Sequence, residues 1–154
     1  MRVFFDTEFL ETYTRIYPIS IGIVRDDGEE LYRQWSSFPR HLAKGTWVED
    51  NVLTHLDPVF SSTEEIARRI RLFVGSRAEW WGYYCAYDWV ILCQLYGGMM
   101  RLPAGWGMWC RDLKHLASMR GVDPPEQKGE LEHHALRDAR WIKSGVEYVE
   151  AYKP

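Results

Sequence analysis

Cysteine is scarce in this chain: three residues, Cys85, Cys93 and Cys110, with no C-x-x-C pair among them. An odd count without paired spacing argues against a disulfide framework and against a zinc site, and it suits a reducing cytoplasm. The three read as small core residues. Apolar runs of transmembrane length are missing, and the N-terminus passes directly into a strand pattern with no leader signal, so no membrane partner is expected. Repeats and low-complexity tracts are lacking too. Neither sign of charge dominates. The net charge of −3 at first argues against a polyanionic partner, yet with four acids neutralised as metal ligands the remaining surface would carry +1. Net charge therefore leaves nucleic acid open.

What is present is an ordinary globular composition. With 154 residues, 46% of them hydrophobic and 27% charged, residues 1–154 read as one domain with a substantial core. Aromatics are heavy at 8 Trp, 9 Tyr and 6 Phe. Most would fill the core, leaving a few to stack on bases.

Residues 2–6 read as a first strand, followed by a hairpin in which Ile19, Ile21 and Ile23 alternate, Asp26-Asp27-Gly28 turns, and Leu31 to Ser36 return. Residues 38–57 are irregular, with one short helix in "WVEDNVLTHL", and His41 and His55 there read as surface or structural residues. "SSTEEIARRIRLFVG" is a helix opened by a capping-box pattern, Ser62 and Glu65, and stopped by Gly75. Its Arg68, Arg69 and Arg71, with Arg77 beyond, form either a solvated face or a phosphate-contacting patch. "AEWWGYY" follows as a strand, "DWVILCQLY" as a helix, Met108 to Cys110 as a short apolar run, "RDLKHLASM" as a helix, "GVDPPEQKGE" as a loop, and about 134–152 as a last helix. Hairpin strands followed by alternating helices and strands imply an α/β domain on a partly antiparallel sheet.

The run "VFFDTEF" raises the functional question. Strand alternation points Asp6 and Glu8 to one face, with Phe5, Thr7 and Phe9 on the other. Two carboxylates roughly 6–7 Å apart on a half-buried sheet repel each other and lose solvation. Nothing nearby in sequence offers a counter-charge, so a hard divalent cation is the economical partner. The alternative is a solvated sheet face with no metal. Two other acids stand where a helix meets such a sheet. Asp88 in "YCAYDWVIL" reads alone as an N-cap. Asp138 in "HHALRDARW" reads alone as a solvated acid between Arg137 and Arg140.

Taken in order, "FFDTEF", "AYDWVIL" and "HHALRDA" resemble the three motifs of the DEDD superfamily of 3′–5′ exonucleases, over nearly the whole chain. His133-x-Ala135-x-x-Asp138 matches the H-x-A-x-x-D of its His-containing branch, DEDDh. Within that branch the wording is similar to a small bacterial exoribonuclease group known from mycobacteria. The resemblance implies an RNase H-like fold, with three antiparallel strands plus parallel additions flanked by helices. It also implies two Mg²⁺ ions (Mn²⁺ able to substitute), hydrolysis of RNA from its 3′ end to nucleoside 5′-monophosphates, and a homodimer. By position, Asp6, Glu8, Asp88 and Asp138 would be the metal carboxylates and His133 the general base, with His134 the competing assignment. Phe9, Trp81 and Tyr87 are candidate substrate contacts, each with a core role as alternative. Where most His-type relatives carry Asn, four places before the second-motif Asp, this chain has Tyr84, so the support of Asp88 is unspecified. A DNA-directed exonuclease of proofreading type shares the same motifs, and a non-catalytic nucleic-acid-binding domain on this scaffold is the reading from another class.

Overall fold

Val3, Phe4 and Phe5 are all fully buried, which a half-solvated strand would not allow; the first strand must be covered on both faces. The computed structural model, which describes residues 1–127 and 133–153, shows how. Strand β1 (Arg2–Glu11) lies at the centre of a five-stranded sheet of order β3-β2-β1-β4-β5. It pairs antiparallel with β2 (Ile16–Arg25) and parallel with β4 (Glu79–Gly82). Strand β3 (Glu30–Gln34) continues the antiparallel side, and β5 (Arg111–Asp112) the parallel side.

The period-two alternation of β1 splits its aromatics between two layers. Val3 and Phe5 join Ile66, Ile70 and Val74 of α2 (Thr63–Val74) and Ile91 and Leu92 of α3 (Ala86–Leu95). Phe4 joins Leu113 and Ala117 of α4 (Leu113–Arg120) and Ile142, Val146 and Val149 of α5 (Ala135–Ala151). Each fully buried aliphatic contributes about 1.5–3 kcal/mol relative to exposure, so these two layers hold the sheet between its helices. A smaller cluster of Leu10, Ile19, Ala43 and Val52 seats the 38–57 segment against one end of the sheet.

Several boundaries differ from expectation. β1 runs on to Glu11 because β2 continues to pair with it. β3 ends at Gln34, two residues short of the expected return. The stretch from 47 to 56 is α1 (Trp47–Asn51) and then a separate 3₁₀ turn at Leu53–His55. The last strand is Arg111–Asp112 rather than the apolar run before it, since the parallel register pairs Trp81 with Arg111 and Gly82 with Asp112, leaving Met108 and Trp109 exposed. Ser62 caps α2 by accepting from the Glu65 N–H at 3.3 Å. The Glu65 carboxylate bonds Arg68 and Arg69, at 2.9 and 2.6 Å, and does not close the box, which makes that helix face a solvated ion-pair face. Residues 128–130 of the expected 121–130 loop lie outside the described residues. Among the described residues no helix is long and apolar enough to cross a membrane.

Candidate active site

Asp6 and Glu8 sit on the β1 face that α5 covers, as alternation requires. Helix α5 can approach because Gly22, the cross-strand partner of Asp6, has no side chain: a Cβ there would lie 2.2 Å from the Leu136 backbone nitrogen. The first turn of α5 therefore rests on the sheet and carries Asp138 toward the β1 acids. One carboxylate oxygen each from Asp6, Glu8 and Asp138 fall within 4.8 Å of one another. These three residues come from two segments more than a hundred positions apart, and only packing brings them together.

Asp88 reaches the same place from the opposite layer. It lies in the first turn of α3, whose N-cap is Cys85, so the cap reading of Asp88 is corrected. Its Oδ1 instead accepts from Thr7 on β1, from the backbone N–H at 2.9 Å and from the hydroxyl at 2.5 Å. Thr7 thus supplies the support that Tyr84 does not. The alternation that points the two acids one way points Thr7 the other, toward α3.

The electrostatics are those of crowded acids. Burial first, then the charges of Asp88, Glu8 and Asp138, hold the Asp6 carboxyl well above the usual carboxylate range. Glu8, 8% exposed, is pushed up to about 8 by burial and then by Asp138 and Asp88. Asp88 rises to about 6 through burial, opposed by its Thr7 bonds. Burial also raises Asp138, while a hydrogen bond from the Gln127 amide and the nearby His133 lower it. Among the described residues, none of the four is in a salt bridge with Lys or Arg. Hard oxygen donors at this density, without a cation of their own, are a donor set that fits divalent metal.

One cleft of about 360 Å³ collects these groups: it is lined by all four acids and by His133, Phe9 and Tyr87. His133 is one of two non-glycine residues with positive φ among those described, at 70°. This turn presents its ring to the cleft, edge-on to Trp47 with centroids 4.6 Å apart. His134 turns away and stacks on Tyr32 at 4.5 Å, with its Nδ1 buried and unpartnered. Burial lowers its pKa, as for an imidazole kept neutral in packing.

Phe9 keeps to the face opposite Glu8, half-buried against the Phe5 layer, and its ring also lines the cleft. The β1–β2 register shifts between Glu8, paired with Ser20, and Phe9, paired with Pro18. That irregularity sits beside a proline with no N–H to donate, at the end of the sheet where Phe9 borders the cleft. There its ring meets Tyr87 edge-on at 5.5 Å, and the Tyr87 hydroxyl donates to Glu11 at 2.7 Å. Trp81 is corrected as a substrate contact. It is 5% exposed in the Phe4 layer, and its indole N–H donates to Glu79 at 2.8 Å, because β4 alternation sends it under α5.

Thr7, Trp47 and Tyr84 line the cleft without having been assigned a role from sequence, and Gln127 bonds Asp138 from outside its lining. Thr7 had a usable signal in its place between the two acids. Tyr84, the other positive-φ residue at 49°, lies two-thirds exposed on the cleft wall. For a bulky residue that backbone is strained by roughly 1–3 kcal/mol, a feature that concentrates at functional sites. Trp47 opens the short helix α1 and Gln127 lies in the segment before α5, and neither carried a signal.

A family profile described as the 3′-5′ exoribonuclease Rv2179c-like domain matches residues 1–150. The 3′-5′ exoribonuclease Rv2179c of Mycobacterium tuberculosis strain H37Rv is 38% identical over 148 residues, covering 91% of this chain and 88% of that protein. Its counterpart in strain CDC 1551, also named a 3′-5′ exoribonuclease, matches to the same extent. Among solved structures, apo exonuclease I superposes with a TM-score of 0.65 at 15% identity, covering 99% of this chain. E. coli exonuclease I with a dT13 oligonucleotide gives 0.65 at 14% identity, covering 97% of this chain. This chain spans about two fifths of those chains (42% and 41%). At such identity the likeness speaks for the fold: the mixed sheet between helices is RNase H-like.

Proposed function

The chain belongs to the Rv2179c-like 3′-5′ exoribonuclease domain family, and from that membership we propose that it is a metal-dependent 3′–5′ exoribonuclease of the DEDDh branch. It would trim RNA from the 3′ end to nucleoside 5′-monophosphates. The carrying observation is the convergence of Asp6, Glu8 and Asp138 within ligand reach, with Asp88 and His133 lining the same cleft.

Asp6, Glu8, Asp88 and Asp138 would hold two divalent ions, Mg²⁺ or Mn²⁺, whose charge cancels that of the four carboxylates. When bound, such a pair supplies Lewis-acid stabilisation of both oxygens in an in-line displacement at phosphorus. Glu8 and Asp138 must lose the protons that burial favours, so cation binding and carboxylate ionisation are coupled. Thr7 keeps Asp88 in place from behind. His133, at the mouth and turned toward the acids by its positive φ, accepts the proton of the attacking water, a role that an imidazole's ring nitrogen can fill. Phe9 and Tyr87 pack against the terminal nucleotide, with Tyr84 on the facing wall. We read residues 1–154 as one exonuclease domain acting in the cytoplasm as a homodimer. Support comes from the extent of the family match and from the free cysteines for the first two, and from family resemblance for the third.

The test uses matched 3′-labelled RNA and DNA oligonucleotides with Mg²⁺, with Mn²⁺ and with chelator. Release of labelled mononucleotide from RNA, abolished by chelator and faster than from DNA, is the expected result. Equal rates on DNA would remove the RNA preference. RNA left intact under every metal condition would support the non-catalytic binding domain instead.

A further inference from the structure

Two of the three cysteines meet outside the cleft and have no part in the proposed reaction. Cys85 Sγ lies 2.8 Å from Cys110 Sγ, against about 2.05 Å for a formed disulfide. Other bonds set this approach. The Cys85 N–H donates to Asp112 Oδ2 at 3.0 Å, while Asp112 Oδ1 accepts from the His115 N–H at 3.1 Å as the N-cap of α4. The parallel pairing of Gly82 with Asp112 holds the segments in register, and Gly82 makes the turn possible: a Cβ there would fall 2.3 Å from Cys85 Cβ. The backbone thus presents the two sulfurs to each other whether or not they bond.

Access is one-sided. Cys85 is 3% exposed, and the hydrogen bond with Cys110, then burial, pushes its thiol pKa up. Cys110 is partly exposed and lines an open groove of about 490 Å³ beside Trp109 and Arg111. An incoming reagent meets Cys110 first and Cys85 second, the order that a two-step exchange requires.

We propose that Cys85 and Cys110 are a redox modification site, closing to an intramolecular disulfide when the protein meets a low-molecular-weight disulfide such as oxidised glutathione. The Cys110 sulfur attacks one sulfur of the reagent, forms a mixed disulfide and releases one small thiol, which takes the Cys110 proton. The Cys85 sulfur then attacks the Cys110 sulfur, and the second small thiol leaves with the Cys85 proton. Two protein S–H bonds and one external S–S bond become one protein S–S bond and two external S–H bonds. The protein loses two electrons and the reagent gains them. The cross-link spans 25 positions and ties β5 to the start of α3, the helix that carries Asp88. Neither sulfur lines the cleft, so the bond acts as a brace. By constraining the unfolded chain it should raise Tm by roughly 5–10 °C.

The full chain, reduced and freed of reductant, is incubated with oxidised glutathione and followed by thiol titration, intact mass, non-reducing peptide mapping and thermal melting. The titre should fall from three thiols to one, with a mass loss of two hydrogens, no retained glutathione and a Cys85–Cys110 cross-linked peptide. Tm should rise, and dithiothreitol should reverse every change. Cys110→Ser should form no internal cross-link. A persistent glutathione adduct on Cys110, a bond through Cys93, cross-linking between chains, or an unchanged titre of three would overturn the proposal.

Discussion

Glu8→Gln tests the electrostatic account most directly, because the two readings of this acid predict opposite signs. Glu8 is 8% exposed, and its carboxyl titrates at about 8 where an ordinary one titrates near 4.5. A folded-state pKa above the unfolded value means that stability is fully present below the unfolded pKa and is lost as pH rises through the folded one. Metal-free protein should therefore weaken between about pH 4.5 and pH 8. At pH 7 that shift corresponds to about 3 kcal/mol, since each pKa unit is worth about 1.4 kcal/mol. For a chain of this size that is roughly 6–12 °C in Tm. Gln has the same shape and no charge to bury. Thermal melts in chelator should place Glu8→Gln above the parent by that amount at pH 7, with the gap closing toward pH 4.5. Added Mg²⁺ should reverse the order. Ligand in thousandfold excess over Kd adds about 4.1 kcal/mol to the parent, more than the gap in chelator, and less to a variant missing a ligand. If Glu8→Gln melted below the parent in chelator at pH 7, or if the gap ignored pH, the picture of uncompensated buried acids would be refuted.

Four further outcomes follow from the same geometry. Gly22→Ala drives a Cβ into the Leu136 backbone and should cost roughly 1–3 kcal/mol, and by lifting the first turn of α5 it should also weaken Mg²⁺ binding in calorimetry; unchanged metal affinity would break the link between that contact and Asp138. Thr7→Val deletes the hydroxyl bond to Asp88, with an expected loss of roughly 1–3 kcal/mol in denaturant titration and a fall in kcat. His133→Ala should lower kcat by roughly 10²–10⁴ in the mononucleotide-release assay, while His134→Ala should keep kcat and lower Tm through the lost Tyr32 stack. Tyr87→Ala should raise KM more than it lowers kcat, while a variant with unchanged KM would detach Tyr87 from substrate.

The comparison of sequence with structure turns on what each kind of side-chain pattern encodes. Alternation is local, so the shared face of Asp6 and Glu8 was legible in seven residues. The α2 cap at Ser62 and the stop at Gly75 were legible for the same reason, since each depends on neighbours within a turn. Phe9 was legible by the same alternation, since it packs on the Phe5 side and still borders the cleft. Trp81 was misplaced because an indole beside a motif looks alike whether it faces a cleft or a core, and only the cover provided by α4 and α5 distinguishes them. For His133 and His134 the motif register favoured one, but the separation of cleft from packing required the backbone turn at positive φ.

By itself the sequence determined the α/β layout, the acids and the family. Those are properties of residue type and short-range order, which the chain carries before it folds. Tertiary structure alone decided that Asp138 reaches Asp6 through a gap left by Gly22, that Thr7 reaches Asp88 from the far layer, and that Cys85 faces Cys110. Those distances arise when two helix layers close on one sheet, and no spacing along the chain specifies how near two layers will come.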